Sequence, residues 1–186
     1  MSENIGMNSP KLSFLRRHWM LGVGGLAAAV GAGVAWRRLQ PGATETQDVQ
    51  AFWQKRLDGL NGETLNMATF RGKPLLLNFW ATWCPPCVQE LPMIEAFWRQ
   101  HATNGIQVLA LAIDQPSAVR HFVSTQGLTM PVALAGLEGT ALAKLLGNVN
   151  GGLPFSVFFR EDGSIYRKKL GQLVQSDLDG WLASGL

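Results

Sequence analysis

The chain has 186 residues, with 16 Lys/Arg against 13 Asp/Glu and only two cysteines. Residues 1–38 carry five Lys/Arg against Glu3 alone, and residues 39–186 carry eleven against twelve Asp/Glu, so the excess of positive charge belongs to the leading segment. The body of the chain is nearly neutral, which removes the electrostatic case for nucleic acid as a partner.

Residues 1–18 form a polar leader with a basic cluster at Lys11, Arg16 and Arg17. Residues 19–36, from Trp19 to Trp36, contain no charged side chain. As a helix they would span roughly 27 Å, about a bilayer core, with the two tryptophans at interfacial positions. Arg37 and Arg38 close the span. The expectation is a transmembrane anchor with the domain on the far side of the membrane. A cleaved signal peptide ending near Gly33-Val34-Ala35 is the alternative, Arg16-Arg17 loosely matches a twin-arginine export signal, and a buried globular helix is a third reading.

Residues 37–59 read as a linker and an edge helix. Pro41 to Asp48 is small, polar and without pattern, hence a tether, and Val49 to Leu57 has apolar residues near helical spacing. Residues 60–186 make one domain with enough chain for one core. Thr64 to Phe70 alternates weakly as a short strand before the Arg71-Gly72-Lys73-Pro74 turn. From Leu75 onward an apolar run bounded by Lys73-Pro74 and by Pro85-Pro86 has the pattern of a strand buried on both faces.

That run leads directly into Cys84-Pro85-Pro86-Cys87. The two prolines suit the first turn of a helix, with Cys84 near the cap and Cys87 one turn in. There, free amides and the positive end of the helix dipole favour a thiolate, the nucleophile of disulfide exchange. Half a zinc site is the competing reading, but zinc needs about four ligands and His18, His101 and His121 are scattered, so no metal site is expected. A purely structural disulfide would close too short a loop to constrain the unfolded chain much.

Leu91, Ile94, Phe97 and Trp98 continue an amphipathic helix to Asn104-Gly105, with Pro92 expected to kink it. Ile106 to Ile113 reads as a second buried strand, Ala118 to Gln126 as a helix, Pro131 to Leu134 as a small strand and Thr140 to Leu146 as a helix. Phe155 to Phe159 and Ser164 to Leu170 flank Glu161-Asp162-Gly163 as a hairpin. A last helix starts at Ser176, with Asp179 three residues on as a capping pair. Arg167, Lys168 and Lys169 read as the solvated end of a strand. Together these elements give an α/β fold, a mixed central sheet with helices on both faces.

The stretch Asn78 to Pro92, with Trp83 before the cysteine pair and Glu90-Leu91-Pro92 behind it, and the later Gly152-Leu153-Pro154, resembles the thioredoxin superfamily. Within it the similarity is to the TlpA/ResA-type group of membrane-anchored thiol–disulfide oxidoreductases, which includes cytochrome c maturation thioredoxins. The resemblance covers about residues 60–186. It implies a thioredoxin-like fold, Cys84 as the exposed attacking thiol, Cys87 as the buried resolving thiol, and Pro154 as a cis-proline beside the disulfide. An inserted strand and helix before that proline would occupy the 67-residue gap from Cys87 to Pro154.

In ResA-like proteins a carboxylate three residues after the second cysteine is the acid–base group, and Glu90 stands there; Asn78 replaces the buried aspartate of cytoplasmic thioredoxins and cannot titrate. Trp83, Pro85, Pro86, Leu153 and Pro154 are then the surface that meets substrate, although Leu153 departs from the Thr or Val usual there. The implied activity is reduction of disulfides in extracytoplasmic proteins, with no cofactor beyond the Cys84–Cys87 pair and with recharging by a thiol-reducing membrane electron donor. The implied location is the inner membrane with the domain facing the periplasm, or the periplasm itself after signal cleavage. A disulfide-forming oxidase and a Cu(I)-handling dithiol module are the alternatives.

Overall fold

The computed structural model describes residues 41–183. The basic leader, the uncharged span at 19–36 and the question of a retained anchor or a cleaved signal lie outside the described residues. Among the described residues no helix is long and apolar enough to cross a membrane.

Helix α1 (Pro41–Trp53) precedes strands β1 (Arg56–Gly59) and β2 (Thr64–Asn66), a 3₁₀ turn (Met67–Phe70) and β3 (Leu75–Trp80). Then come α2 (Pro85–His101), β4 (Gln107–Ala112), α3 (Pro116–Gln126), β5 (Val132–Leu134) and α4 (Glu138–Leu145). The hairpin β6 (Phe155–Phe159) and β7 (Ile165–Leu170) is followed by α5 (Gln175–Ala183). The seven strands form one mixed sheet in the order β2-β1-β5-β4-β3-β6-β7. Strands β3, β4 and β5 run parallel, while β6 pairs antiparallel with β3 and β1 antiparallel with β5.

The period-2 geometry of the central strands divides the core in two. Leu75, Leu77 and Phe79 of β3, Leu109 and Leu111 of β4 and Phe155, Val157 and Phe159 of β6 face one side, covered by α1 and α4. Leu76 and Trp80, Val108, Ala110 and Ala112, and Phe158 face the other, under α2, α3 and α5. All six residues of β3 are buried, which explains its near-continuous apolar run. Each fully buried Leu or Phe contributes about 1.5–3 kcal/mol, so a polar residue in β3 is costly unless it is hydrogen-bonded. The strand carries one, Asn78.

Several local expectations need correction. Pro41 to Asp48 is the first part of α1 rather than a tether; Val49, Phe52 and Trp53 bury one stripe of the helix, and Trp53 Nε1 donates to Gly163 O at 2.9 Å, fixing it to the β6–β7 turn. Leu57 belongs to β1, whose Asp58 and Gly59 pair with Leu134 and Ala133, so the sheet begins before residue 60. In Thr64 to Phe70 only Thr64–Asn66 is extended, because the Asn66 side chain accepts from Ala68 N and starts a 3₁₀ turn. Helix α2 ends at His101, with Leu91, Ile94 and Phe97 buried, and a 3₁₀ turn at Ala102–Asn104 carries the chain on to Gly105. The last helix starts at Gln175, and its cap is not Ser176: Asp177 reaches back to accept from Val174 N at 2.9 Å, the second arm of a capping box.

Candidate active site

The site forms where β3 ends and α2 begins. Ala81 O accepts from Cys84 N at 3.2 Å, closing a tight turn with Thr82 and Trp83 at its centre. Cys84 is the N-cap of α2, Pro85 and Pro86 occupy the first helical positions, and Val88 N donates to Cys84 O at 3.1 Å to open the helical ladder. Cys84 and Cys87 are joined in a disulfide with their Cα atoms 5.3 Å apart. Cys84, read above as the exposed thiol, keeps only 4% exposure, and Cys87 keeps none. Both belong to the core cluster under α2, so in the disulfide state Cys84 is the slightly accessible sulfur rather than an open one.

The Trp83 side chain is 66% exposed. It walls a groove of about 520 Å³ together with Ile113, Asp114, Leu137 and Thr140 at the C-terminal ends of the parallel strands. Open α/β sheets form their sites at this edge. Pro85 is exposed and Pro86 half-buried beside it.

The peptide Leu153–Pro154 is cis. Because Phe155 pairs with Phe79, Pro154 falls opposite the end of β3, just short of the cysteine turn. Leu153 is half-buried and packs against both core clusters. The loop before it is held by Asn148, whose Nδ2 donates to Gly152 O at 2.8 Å.

Glu90 is one turn beyond Cys87 on the same face of α2, the i,i+3 relation that makes helix side chains neighbours. It is 1% exposed. Asn78 Nδ2 donates to its Oε1 at 2.7 Å, and Leu173 N donates to its Oε2 at 2.5 Å. Asn78 also donates to Ser156 Oγ at 3.0 Å, across the β3–β6 pair that sets these two residues opposite each other. Burial pushes the Glu90 carboxyl up to about 7, against the opposing pull of the Leu173 and Asn78 hydrogen bonds and of Lys169. A carboxyl titrating there is half ionised near neutrality and can both take and give a proton.

Three features were missed by sequence reasoning. Asp114 Oδ2 accepts from Thr82 N at 2.9 Å and from Thr82 Oγ1 at 2.5 Å, anchoring the turn ahead of Cys84. Burial alone would raise the Asp114 carboxyl, but its hydrogen bonds from Thr82 and Gln115 hold it below the usual range. Its place directly after an apolar strand was the available signal. Ser156, one polar residue in the run Phe155 to Phe159, was another. The Leu173 amide left no mark in the sequence. Among the described residues no group of three or more His, Cys, Asp or Glu could hold a metal ion.

The redoxin family model matches residues 43–182. The thiol-disulfide oxidoreductase ResA of Bacillus cereus is 34% identical over 125 residues, which cover 66% of this chain and 69% of that protein. Among solved structures, a thioredoxin-family thiol:disulfide interchange protein from Chlorobium tepidum superposes with a TM-score of 0.61 at 27% identity, covering 70% of this chain and 91% of its own. StoA from Bacillus subtilis matches in fold, with a TM-score of 0.57 at 24% identity over 69% of this chain and 95% of its own.

Proposed function

The chain belongs to the redoxin family of thioredoxin-fold proteins and is a thiol–disulfide oxidoreductase, and from that premise we propose that it works as a reductant of disulfides in extracytoplasmic proteins. The observation that carries the direction is the make-up of the α2 N-terminus. A thiolate at an N-cap is stabilised by the amides of the second and third helical residues. Here the second helical residue is Pro86, which has no N–H, so only the Cys87 amide remains of that pair, and in the disulfide state Cys84 takes no side-chain cap bond. Glu90, one turn from Cys87, adds negative charge when ionised. Both features favour disulfide over dithiolate, and a pair whose reduced form is poorly stabilised is a reductant rather than a strong oxidant.

In the proposed cycle the Cys84 thiolate attacks one sulfur of a partner disulfide, and the partner's other sulfur leaves as a thiolate and takes a proton. Glu90 removes the Cys87 proton, Cys87 attacks Cys84 Sγ, and the partner departs with both of its cysteines reduced. The protein keeps the Cys84–Cys87 disulfide, having lost two electrons to the partner. A membrane thiol-reducing donor returns it to the dithiol. Trp83, Pro85, Pro86, Leu153 and Pro154 form the surface against which an extended partner segment lies. The uncharged span at 19–36 supports an inner-membrane anchor with the domain in the periplasm, or a periplasmic protein if the span is removed.

Disulfide insertion is the second reading. The names of the relatives and neighbours describe exchange without direction, and the dipole of α2 still points its positive end at Cys84, which favours the reduced form. Cu(I) handling by the two thiolates is a third. The reduction potential separates the first two: a value near the thioredoxin end supports a reductant, and one near the strongly oxidising end overturns it. Trapping partners with Cys87→Ala, which stalls the mixed disulfide, identifies the substrate; stoichiometric Cu(I) binding by a reduced protein lacking disulfide reductase activity would instead establish the metal role.

A further inference from the structure

Between β7 and α5 the segment Gly171–Val174 donates three backbone hydrogen bonds, to Pro154, to Glu90 and to Asp177. Gly171 N donates to Pro154 O at 2.8 Å. Leu173 N donates to Glu90 Oε2 at 2.5 Å. Val174 N donates to Asp177 Oδ2 at 2.9 Å, and the same oxygen receives Lys169 Nζ from the end of β7. Asp177 thus holds both ends of the segment, the strand it leaves and the helix it enters.

We propose that Asp177 is a positioning residue for the Glu90 carboxyl and the Pro154 loop: by holding the Val174 amide and the Lys169 ammonium together, it keeps the Gly171–Val174 strap seated, so that Leu173 N–H meets Glu90 and Gly171 N–H meets Pro154 O. The strap is short, and with one amide on Glu90 and another on Pro154 two residues earlier, neither contact can move far without the other. The proposal deepens the acid–base reading of Glu90 and rests on it for the kinetic consequence, but the seating itself is independent of that reading.

The groups around Glu90 give the experiment a sign. From β3 and β6 come Asn78 and Ser156, which are neutral; from β7 comes Lys169, from α5 Asp177, and along α2 itself Cys87. Arg167 acts on Asp177. Lys169 favours the ionised carboxylate of Glu90 and Asp177 opposes it, while the Leu173 hydrogen bond favours ionisation more than Lys169 does. Asp177→Asn and Asp177→Ala remove the same charge. Asn retains an oxygen for Val174 N–H and so retains the strap; Ala does not.

The test is a carbon-13 NMR titration of the Glu90 carboxyl in the oxidised full-length chain, where the disulfide cysteines do not titrate. With Asp177→Asn the midpoint moves down by a few tenths of a pH unit, the effect of a half-buried charge lost and of Lys169 left uncompensated. With Asp177→Ala it moves up by about one unit, because the hydrogen bond of Leu173 to a charged group is loosened. Equal displacements in the two variants overturn the proposal, since charge alone would then account for both. If Asp177→Ala does not fold, hydrogen exchange in the wild-type chain decides: slow exchange at Gly171 and Leu173, with the Leu173 amide shift following the Glu90 titration, supports the strap, and fast exchange at Leu173 overturns it. The kinetic readout is separate. The pH midpoint of mixed-disulfide resolution follows the NMR midpoint across the variants if Glu90 is the acid–base group. An NMR midpoint that moves while resolution does not leaves the strap standing and removes the acid–base role.

Discussion

Glu90→Gln keeps the shape of a buried side chain and removes its titration, which exposes what burial costs. In the folded chain the carboxyl is raised from 4.5 to about 7, so between those values the native state holds a proton that the unfolded state has already released. More protons bound in the native state means that stability falls as pH rises. The penalty is absent below the unfolded value of 4.5 and complete above about 7. Over that interval, at about 1.4 kcal/mol per pH unit, it amounts to at most about 3 kcal/mol, less the share removed by solvent screening. Gln supplies one oxygen where the carboxylate supplies two, so either Asn78 Nδ2 or Leu173 N loses its acceptor. That loss is about 1–3 kcal/mol and does not depend on pH. Urea unfolding of the oxidised protein at about pH 5 and about pH 8, where Cys84 and Cys87 are locked, separates the two: the variant gains on the wild type by up to about 3 kcal/mol from the lower pH to the higher. Parallel curves for the two proteins would refute a carboxyl raised by burial, whatever the offset between them.

In single-turnover experiments on the reduced chain, Glu90→Gln slows resolution of the mixed disulfide by about a hundredfold or more, the range for loss of a positioned base; an unchanged rate sends the Cys87 proton to water. Cys84→Ser abolishes turnover and Cys87→Ser carries out one attack and stalls, with alkylation of the reduced wild type faster at Cys84; equal rates at the two thiols contradict their assigned roles. Trp83→Ala raises KM for a protein disulfide about tenfold while changing stability by no more than about 0.5 kcal/mol, as for an exposed side chain; an unchanged KM takes Trp83 out of the substrate surface. A reporter fused after Leu186 is active outside the cytoplasm, and cytoplasmic activity overturns both the anchor and the signal readings of residues 19–36.

How much of this was legible depended on whether a feature was written in consecutive residues. Strand β3 and the start of α2 could be read because burial on both faces demands an unbroken apolar run and a proline-rich first turn permits little besides a helix start. Gly105 and Gly127, both in left-handed conformation, marked the ends of the 3₁₀ turn after α2 and of α3. Helix α1 was half missed because the residues before Val49 carry no apolar stripe, and its stability comes from Phe52 and Trp53 packing on Phe159 about a hundred positions later. The cap of α5 was assigned to Ser176 because serine is the commoner N-cap, whereas the structure uses the reverse arm alone, from Asp177. The contacts that complete the site, Asp114 to Thr82, Asn78 to Ser156 and Leu173 to Glu90, join residues 32, 78 and 83 positions apart. No local pattern encodes such pairs.

The place of the buried carboxyl has a further consequence. An acid on strand β3 would reach the cysteines only through the packing of the helix on the sheet. Glu90 lies on α2, and its relation to Cys87 is set by the helix itself, one turn apart on one face. What the sheet supplies is neutral: Asn78 and Ser156, paired across β3 and β6, give Glu90 a hydrogen-bond donor without a competing charge. Charge enters only from the other side, through Lys169 and Asp177 at the end of β7 and the start of α5. On the proposed strap, the protonation of Glu90 answers to Lys169 and Asp177, while its place one turn from Cys87 is set by the helix. Substitutions at Lys169 or Asp177 should shift the pH at which the site works without altering the order in which the two cysteines react.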